Sequence, residues 1–158
     1  MADARSKRGS AVAVAIRPFD QSLPMALLRT REAVMRGFRR LLRAQGLNEQ
    51  EWRIMRALRE EDRIEIGELA DRVFILKPSA TRTVKNLQTR KIVSRSRSSE
   101  DQRRVLVGLT AKGQALFEEL APHSELEYAR ITNVVGASDM KQLYRLLSHV
   151  TDSLNGSD

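Results

Sequence analysis

The chain contains no cysteine, only two histidines and few aromatic residues (4%). Without thiols there is no disulfide, zinc ribbon, iron–sulfur cluster or cysteine nucleophile, and cysteine oxidation cannot be its signal. His123 and His149 are widely separated and read as structural or solvated, so no metal and no cofactor is assigned. Long apolar runs are also missing. The longest, Ala11 to Ile16, is too short to span a bilayer and makes a poor secretory segment. A soluble cytoplasmic protein with no membrane partner is expected. No glycine-rich phosphate loop is present, and no pair of carboxylates stands beside a base, so no enzymatic constellation can be assigned.

What is present is positive charge. In 158 residues, about one domain's length, 28 Lys and Arg face 20 Asp and Glu, for a net +8. Between Arg72 and Arg104 lie ten basic residues (Arg72, Lys77, Arg82, Lys85, Arg90, Lys91, Arg95, Arg97, Arg103, Arg104) and two acidic ones, Glu100 and Asp101. That block carries the whole net charge, because 18 residues of each sign remain elsewhere. A solvated face would mix the signs, whereas a concentrated block fits an anionic partner and is the electrostatic footprint expected for phosphates.

Hydrophobic periodicity divides the chain. Residues 1–20 combine Ser, Gly, Ala and charge without periodicity and read as a flexible arm, and 21–158 as a single domain. Leu23, Leu27, Val34, Phe38 and Leu41 recur at helical spacing, and Gly46 ends that helix. Asn48 then caps a second helix from Glu49 to about Glu60, with Glu51 at the third position and Leu47 and Trp52 placed as a hydrophobic staple. A short helix buries Ile66, Leu69, Ala70 and Val73. Another, starting at Pro78 and reaching about Arg90, buries Ala80, Val84 and Leu87. Two short helices in close succession form a helix-turn-helix.

The period then changes. Residues 92–97 and 103–109 are β-type runs joined by a polar tip, a hairpin of the kind called a wing. Thr110 caps a long helix that Pro122 should kink or restart and that stops at Gly136. Ser138 caps a last helix with Met140, Leu143, Leu146, Leu147, Val150 and Leu154. The expected fold is mainly α with a small β-hairpin wing: a winged helix-turn-helix over about 47–110, flanked by helices over about 22–46 and 111–155. Those flanking helices carry more apolar surface than the small core needs, which suggests packing on a second copy of the chain.

Several strings at matching intervals carry a resemblance. They are Glu68-Leu69-Ala70, Ser79-Ala80-Thr81-Arg82 with Val84 and Leu87, Ile92-Val93, Asp101-Gln102-Arg103-Arg104 and Leu109-Thr110-Ala111-Lys112-Gly113. On these the chain resembles the MarR family of winged-helix transcriptional regulators. Residues 28–33, 47–53 and 74–79 are most similar to its homoprotocatechuate (4-hydroxyphenylacetate) degradation repressor subgroup. Lys91 departs from the family, which usually places a glycine after the recognition helix. The resemblance implies a dimer formed through the terminal helices.

In a helix-turn-helix the second helix enters the major groove. Its outward residues here are Lys77, Ser79, Thr81, Arg82, Lys85 and Asn86. Arg82 can bond guanine in a bidentate way, and its alternative is a salt bridge that orients the motif. Ser79 and Thr81 suit phosphates or a thymine methyl, and Lys85 is either a phosphate contact or a solvated lysine. In the wing, Arg103 suits the minor groove, with Arg104 beside it at the tip, while Arg95 and Arg97 share one strand face that can grip phosphates. The resemblance gives Asp101 the task of buttressing a wing arginine, and a plain hairpin-turn residue is its alternative. Two copies would read a palindromic operator in double-stranded DNA, with half-sites about 34–36 Å apart.

Arg31 falls in the middle of the apolar stripe of the first helix, where a guanidinium must be paired, hydrated or matched to an anion. The resemblance points to a small aromatic carboxylate as effector, with Arg31 as its clamp and Trp52 as a stacking surface. An intersubunit salt bridge for Arg31, and the staple for Trp52, are the competing explanations. The function expected is a dimeric repressor of an aromatic-compound catabolic operon, released by such an acid. The alternative is an architectural DNA-binding protein without a ligand.

Overall fold

The computed structural model describes residues 16–156. After a 3-10 turn at Phe19–Gln21 come α1 (Leu23–Ala44), α2 (Glu49–Glu60), β1 (Ile64–Glu65), α3 (Ile66–Arg72), α4 (Lys77–Thr89), β2 (Val93–Arg97), β3 (Val105–Leu109), α5 (Ala111–Val135) and α6 (Ala137–Asn155). The chain divides into two compact units, 1–33 and 34–158. Most of the expected N-terminal arm lies outside the described residues.

In the first unit, Ser22 Oγ accepts the Met25 N–H at 3.4 Å, and Arg29 donates to the Asp20 carbonyl at 3.2 Å. Leu23, Leu27 and Leu28 of α1 are about half exposed.

The second unit holds the core. The first turn of α2 is a reciprocal capping box: Asn48 Oδ1 accepts the Glu51 N–H at 3.0 Å, and Glu51 Oε2 accepts the Asn48 N–H at 2.9 Å. Two helix-end donors that would otherwise need water are thereby satisfied. Leu47 and Trp52, flanking the box, are both buried. Around α2 collect Leu69 of α3, Val84 and Leu87 of α4, Val93 and Val107 of the hairpin and Leu120 of α5. The 3–4 spacing of Ala80, Val84 and Leu87, all fully buried, fixes which face of α4 is left for solvent.

The hairpin pairs Val93 with Leu109 and Arg97 with Val105. On the other side of β3, Ile64 pairs with Val107 and Glu65 with Leu106, so the sheet order is β1-β3-β2. The sequence shows no sign of β1, since two residues cannot display a period of two. Their pairing comes from Ile64 being buried against β3.

Two helix boundaries differ from expectation. Pro122 does not restart the chain as a second helix; α5 runs unbroken from Ala111 to Val135. Proline removes one backbone donor and costs about 3 kcal/mol in a helix interior, but Leu120 and Ser124 on either side of it are buried and anchor both halves. Ser138 is also not the cap of α6. The helix starts at Ala137, and Gly136, at φ +98°, closes α5 and opens α6 by itself.

Three helices end in the same way, with a left-handed residue just past the cap. At Gly46 (φ +64°) the Leu47 N–H reaches the Leu42 carbonyl at 2.9 Å. At Lys91 (φ +59°) the Ile92 N–H reaches Leu87, and at Phe74 (φ +52°) the Ile75 N–H reaches Ala70. Lys91 therefore keeps the turn for which a glycine is better suited, at a strain of about 1–2 kcal/mol. Beyond it, the Thr110 hydroxyl bonds the Lys91 carbonyl at 2.7 Å and caps the Gly113 N–H at 3.1 Å. Gly113 lies so close to the Ile92 carbonyl that a Cβ would stand 2.1 Å from that oxygen. This close approach is the physical content of the Thr110-Ala111-Lys112-Gly113 string.

Candidate nucleic-acid interface

α4 displays the side chains the sequence assigns to it. Lys77, Thr81, Arg82, Lys85 and Asn86 are exposed and Ser79 is half-buried. The Arg82 and Lys85 side chains make no hydrogen bond or ion pair among the described residues, so the orienting salt bridge for Arg82 has no carboxylate to form it. The Thr81 hydroxyl bonds the Lys77 carbonyl at 3.0 Å and must rotate to meet a phosphate. Thr83 is buried, donating to the Ser79 carbonyl at 2.8 Å and facing Gln50 Oε1 at 3.3 Å.

The wing tip is closed by its own backbone. The Ser98 N–H bonds the Arg104 carbonyl at 3.0 Å, and the Arg104 N–H bonds the Asp101 carbonyl at 2.9 Å. Asp101 Oδ1 accepts the Arg103 N–H at 2.9 Å, so its carboxylate shapes the turn through the main chain and engages no arginine side chain among the described residues. Ser98 is buried, and its Oγ accepts the N–H groups of Glu100 and Asp101. Arg95, Arg103 and Arg104 project into solvent, and Arg97 reaches the Gln102 carbonyl at 3.3 Å.

The basic block separates into two kinds of residue. Arg72 is held by Glu60 and Glu61, with the Glu61 hydrogen bond doing most to raise its pKa above the ordinary arginine value. Arg90 is held by Glu51. The other eight basic residues are exposed, on α4, on the turn after it and on the wing. This is a cationic surface with a protruding helix and an adjacent hairpin, suited to two grooves of one duplex.

Sequence reasoning missed how α4 is held. Two residues of α2 do it: Gln50 meets Thr83, and Glu51, only 3% exposed, takes the Arg90 guanidinium at 3.0 Å, while the adjacent Glu49 pairs with Arg39 of α1. Arg90 is the C-cap of α4, and its carbonyl accepts Lys112 Nζ at 3.0 Å. The capping box makes Glu51 legible as a helix start, but nothing local points to its distant partner.

Of the two effector candidates, Arg31 is not buried in the stripe. Its side chain is 45% exposed and pairs with Glu32 at 3.1 Å, and Leu27 and Leu28 on the same helix are about half exposed. Trp52 is 6% exposed and stacked on Phe117, with ring centroids 5.1 Å apart. Beside it, Arg56 donates to the Tyr128 hydroxyl at 2.8 Å, and the Phe38 and Tyr128 rings are 4.8 Å apart. Neither Arg56 nor Tyr128 was singled out as a site from sequence.

A winged helix-turn-helix with a free cationic recognition face defines a DNA-binding protein. Residues 47–105 match the MarR family. The regulator FarR of Neisseria gonorrhoeae is 36% identical over 137 residues, spanning 85% of this chain and 94% of its own. The homoprotocatechuate degradative operon repressor of Escherichia coli is 38% identical over 126 residues, spanning 80% and 85%. Among solved structures, the transcriptional regulator PA4135 superposes with TM-score 0.80 at 40% identity, covering 86% of this chain and 98% of that one. NadR in complex with 4-hydroxyphenylacetate does so with TM-score 0.73 at 34% identity, covering 86% and 96%. The chain belongs to the MarR family of DNA-binding transcriptional regulators, and its relatives include homoprotocatechuate degradative operon repressors.

Proposed function

We propose that the protein is a homodimeric repressor of an aromatic-compound catabolic operon, seated on a palindromic operator and released by a small aromatic acid. The observation that carries the DNA half of this reading is the set of exposed basic side chains on α4 and the wing. Arg82 reads bases; Ser79, Thr81, Lys77 and Lys85 position α4; Arg103 and Arg104 serve the minor groove, and Arg95 and Arg97 flanking phosphates. Asp101 holds the tip in shape.

The dimer reading rests on α6, where Leu143, Leu147, Val150 and Leu154 form one stripe along the helix, all at least 37% exposed in the single chain. A stripe of that length on a surface helix fits a second copy better than water. The aromatic acid is supported by the relatives: NadR has been crystallised with 4-hydroxyphenylacetate, and the E. coli relative is a homoprotocatechuate operon repressor. Two sets of side chains are assigned to the acid, each testable alone: Arg31 in the first unit, and Trp52 with Arg56 and Tyr128 in the second. Release requires that the acid bind the DNA-free state more tightly than the DNA-bound one.

The test is a gel shift with a duplex enriched from a randomised library by this protein. A single palindromic footprint, lost on Arg82→Ala and weakened by 4-hydroxyphenylacetate or related benzoates and cinnamates, is the expected result. Indiscriminate coating of any duplex, indifferent to every acid, would favour an architectural role and refute the repressor reading.

A further inference from the structure

The residue at the N-terminal end of α4 is energetically misplaced for an isolated protein. Leu76 is the N-cap, with φ −63° and ψ 140°, and it makes no side-chain capping bond. Its carbonyl accepts the first helical bond from Ala80 at 2.9 Å. Serine, threonine, asparagine or aspartate at that position would satisfy a helix-end donor, and leucine is among the poorest choices there. Leucine is tolerated elsewhere when its side chain is buried. Here it is 78% exposed, so neither capping nor core packing accounts for it.

Its neighbours indicate what the exposed side chain meets. Leu76 immediately precedes exposed Lys77, and Thr81 and Arg82 follow within two turns of the same helix. These belong to the cationic face assigned to the major groove. In a helix-turn-helix, the N-terminal residues of the second helix come closest to base edges. Among those edges only thymine presents a methyl group, and an aliphatic side chain has no other strong way to distinguish a base.

We propose that Leu76 is a specificity-determining residue that reads a thymine C5-methyl in each half-site. This rests on the reading of α4 as the major-groove helix. Enclosing one methyl is equivalent to burying about one methylene, so removing the methyl weakens binding about fourfold per half-site.

The experiment uses the full chain and its library-enriched duplex, with each thymine replaced in turn by deoxyuridine, which removes only the methyl. Leu76→Ser is measured beside the wild type by binding titration and by thermal melting. The expected outcome is a symmetric pair of positions where deoxyuridine weakens the wild type about fourfold and leaves L76S unaffected, with L76S melting no lower than the wild type. Equal sensitivity of both proteins at every thymine, or no sensitivity in the wild type, overturns the proposal while leaving DNA binding intact. Failure to enrich any duplex overturns both readings.

Discussion

The Glu51–Arg90 pair is the interaction whose removal most directly tests how α4 is anchored. Glu51 is 3% exposed; one carboxylate oxygen is committed to the Asn48 N–H at 2.9 Å and the other to Arg90 at 3.0 Å. Arg90→Met keeps an aliphatic stem and strands that carboxylate. Breaking a buried pair costs about 3–5 kcal/mol, but the Arg90 side chain is 32% exposed, which lets water take over part of its role. We expect about 2–3 kcal/mol for R90M. For a chain of this size each kcal/mol lowers Tm by roughly 2–4 °C, so the melting point falls by about 4–12 °C at fixed protein concentration. Glu51→Gln retains an acceptor for the Asn48 N–H and should cost about 1 kcal/mol. The double variant buries no unpaired charge, so its loss should be smaller than the sum of the two single losses by at least about 1 kcal/mol. Urea titrations with unchanged slopes would measure all four proteins. Strict additivity, or an R90M loss below about 0.5 kcal/mol, would refute the claim that this pair holds the recognition helix.

Other consequences follow from the same geometry. Lys91→Gly removes the left-handed strain at φ +59° while loosening the unfolded chain, so a net gain of up to about 1 kcal/mol is expected in urea denaturation; a decrease would show that Lys91 has a compensating interaction. Gly113→Ala places a Cβ 2.1 Å from the Ile92 carbonyl, and the junction between hairpin and α5 must shift, at about 1–3 kcal/mol. Unaltered stability of G113A would contradict that packing. Glu127 is held below the ordinary carboxylate range by two hydrogen bonds from Arg130. Because its folded pKa is depressed, its contribution is complete above the unfolded value of 4.5 and is lost as pH falls through the folded one. In Arg130→Gln a carbon-detected titration should show the Glu127 midpoint moving upward, and stability at acid pH should fall less steeply than in the wild type.

Legibility in the sequence tracked whether a feature is local. The capping box at Asn48 and Glu51 and the core phase of Ala80, Val84 and Leu87 each involve residues within one element, and each is present as read; β3 forms where its run was read, but its burial does not alternate, since Val107 and Gly108 are both buried. The outward face of α4 followed, because three buried positions leave little choice for the rest. What could not be read depends on distant partners. Ile64 and Glu65 become a strand only because β3 lies beside them, Pro122 is carried by tertiary packing at Leu120 and Ser124, and Arg90 belongs to Glu51 across 39 positions. For Arg31 the periodic stripe gives a position but not its burial: Leu27 is 44% exposed while Phe38 is buried, and the guanidinium is 45% exposed beside Glu32.

The division of the basic block carries the functional argument further than net charge can. A summed +8 treats Arg72 and Arg90 as equivalent to Arg82, yet the first two are neutralised by Glu60, Glu61 and Glu51 and work inside the fold. Screening by salt should therefore act differently on the two groups. Exposed charges over phosphates lose affinity steeply with ionic strength, through released counterions, whereas Arg90, a third exposed against a buried carboxylate, is much less affected. Consequently Arg95→Ala or Arg97→Ala, at the residues assigned to phosphates, should flatten the plot of log affinity against log salt by about 0.9 for each phosphate that is no longer neutralised. Arg90→Met should lower affinity by displacing α4 and leave that slope nearly unchanged. If R90M and R95A flatten the salt dependence equally, the separation of structural from DNA-facing arginines is wrong, and the whole block acts as one diffuse field.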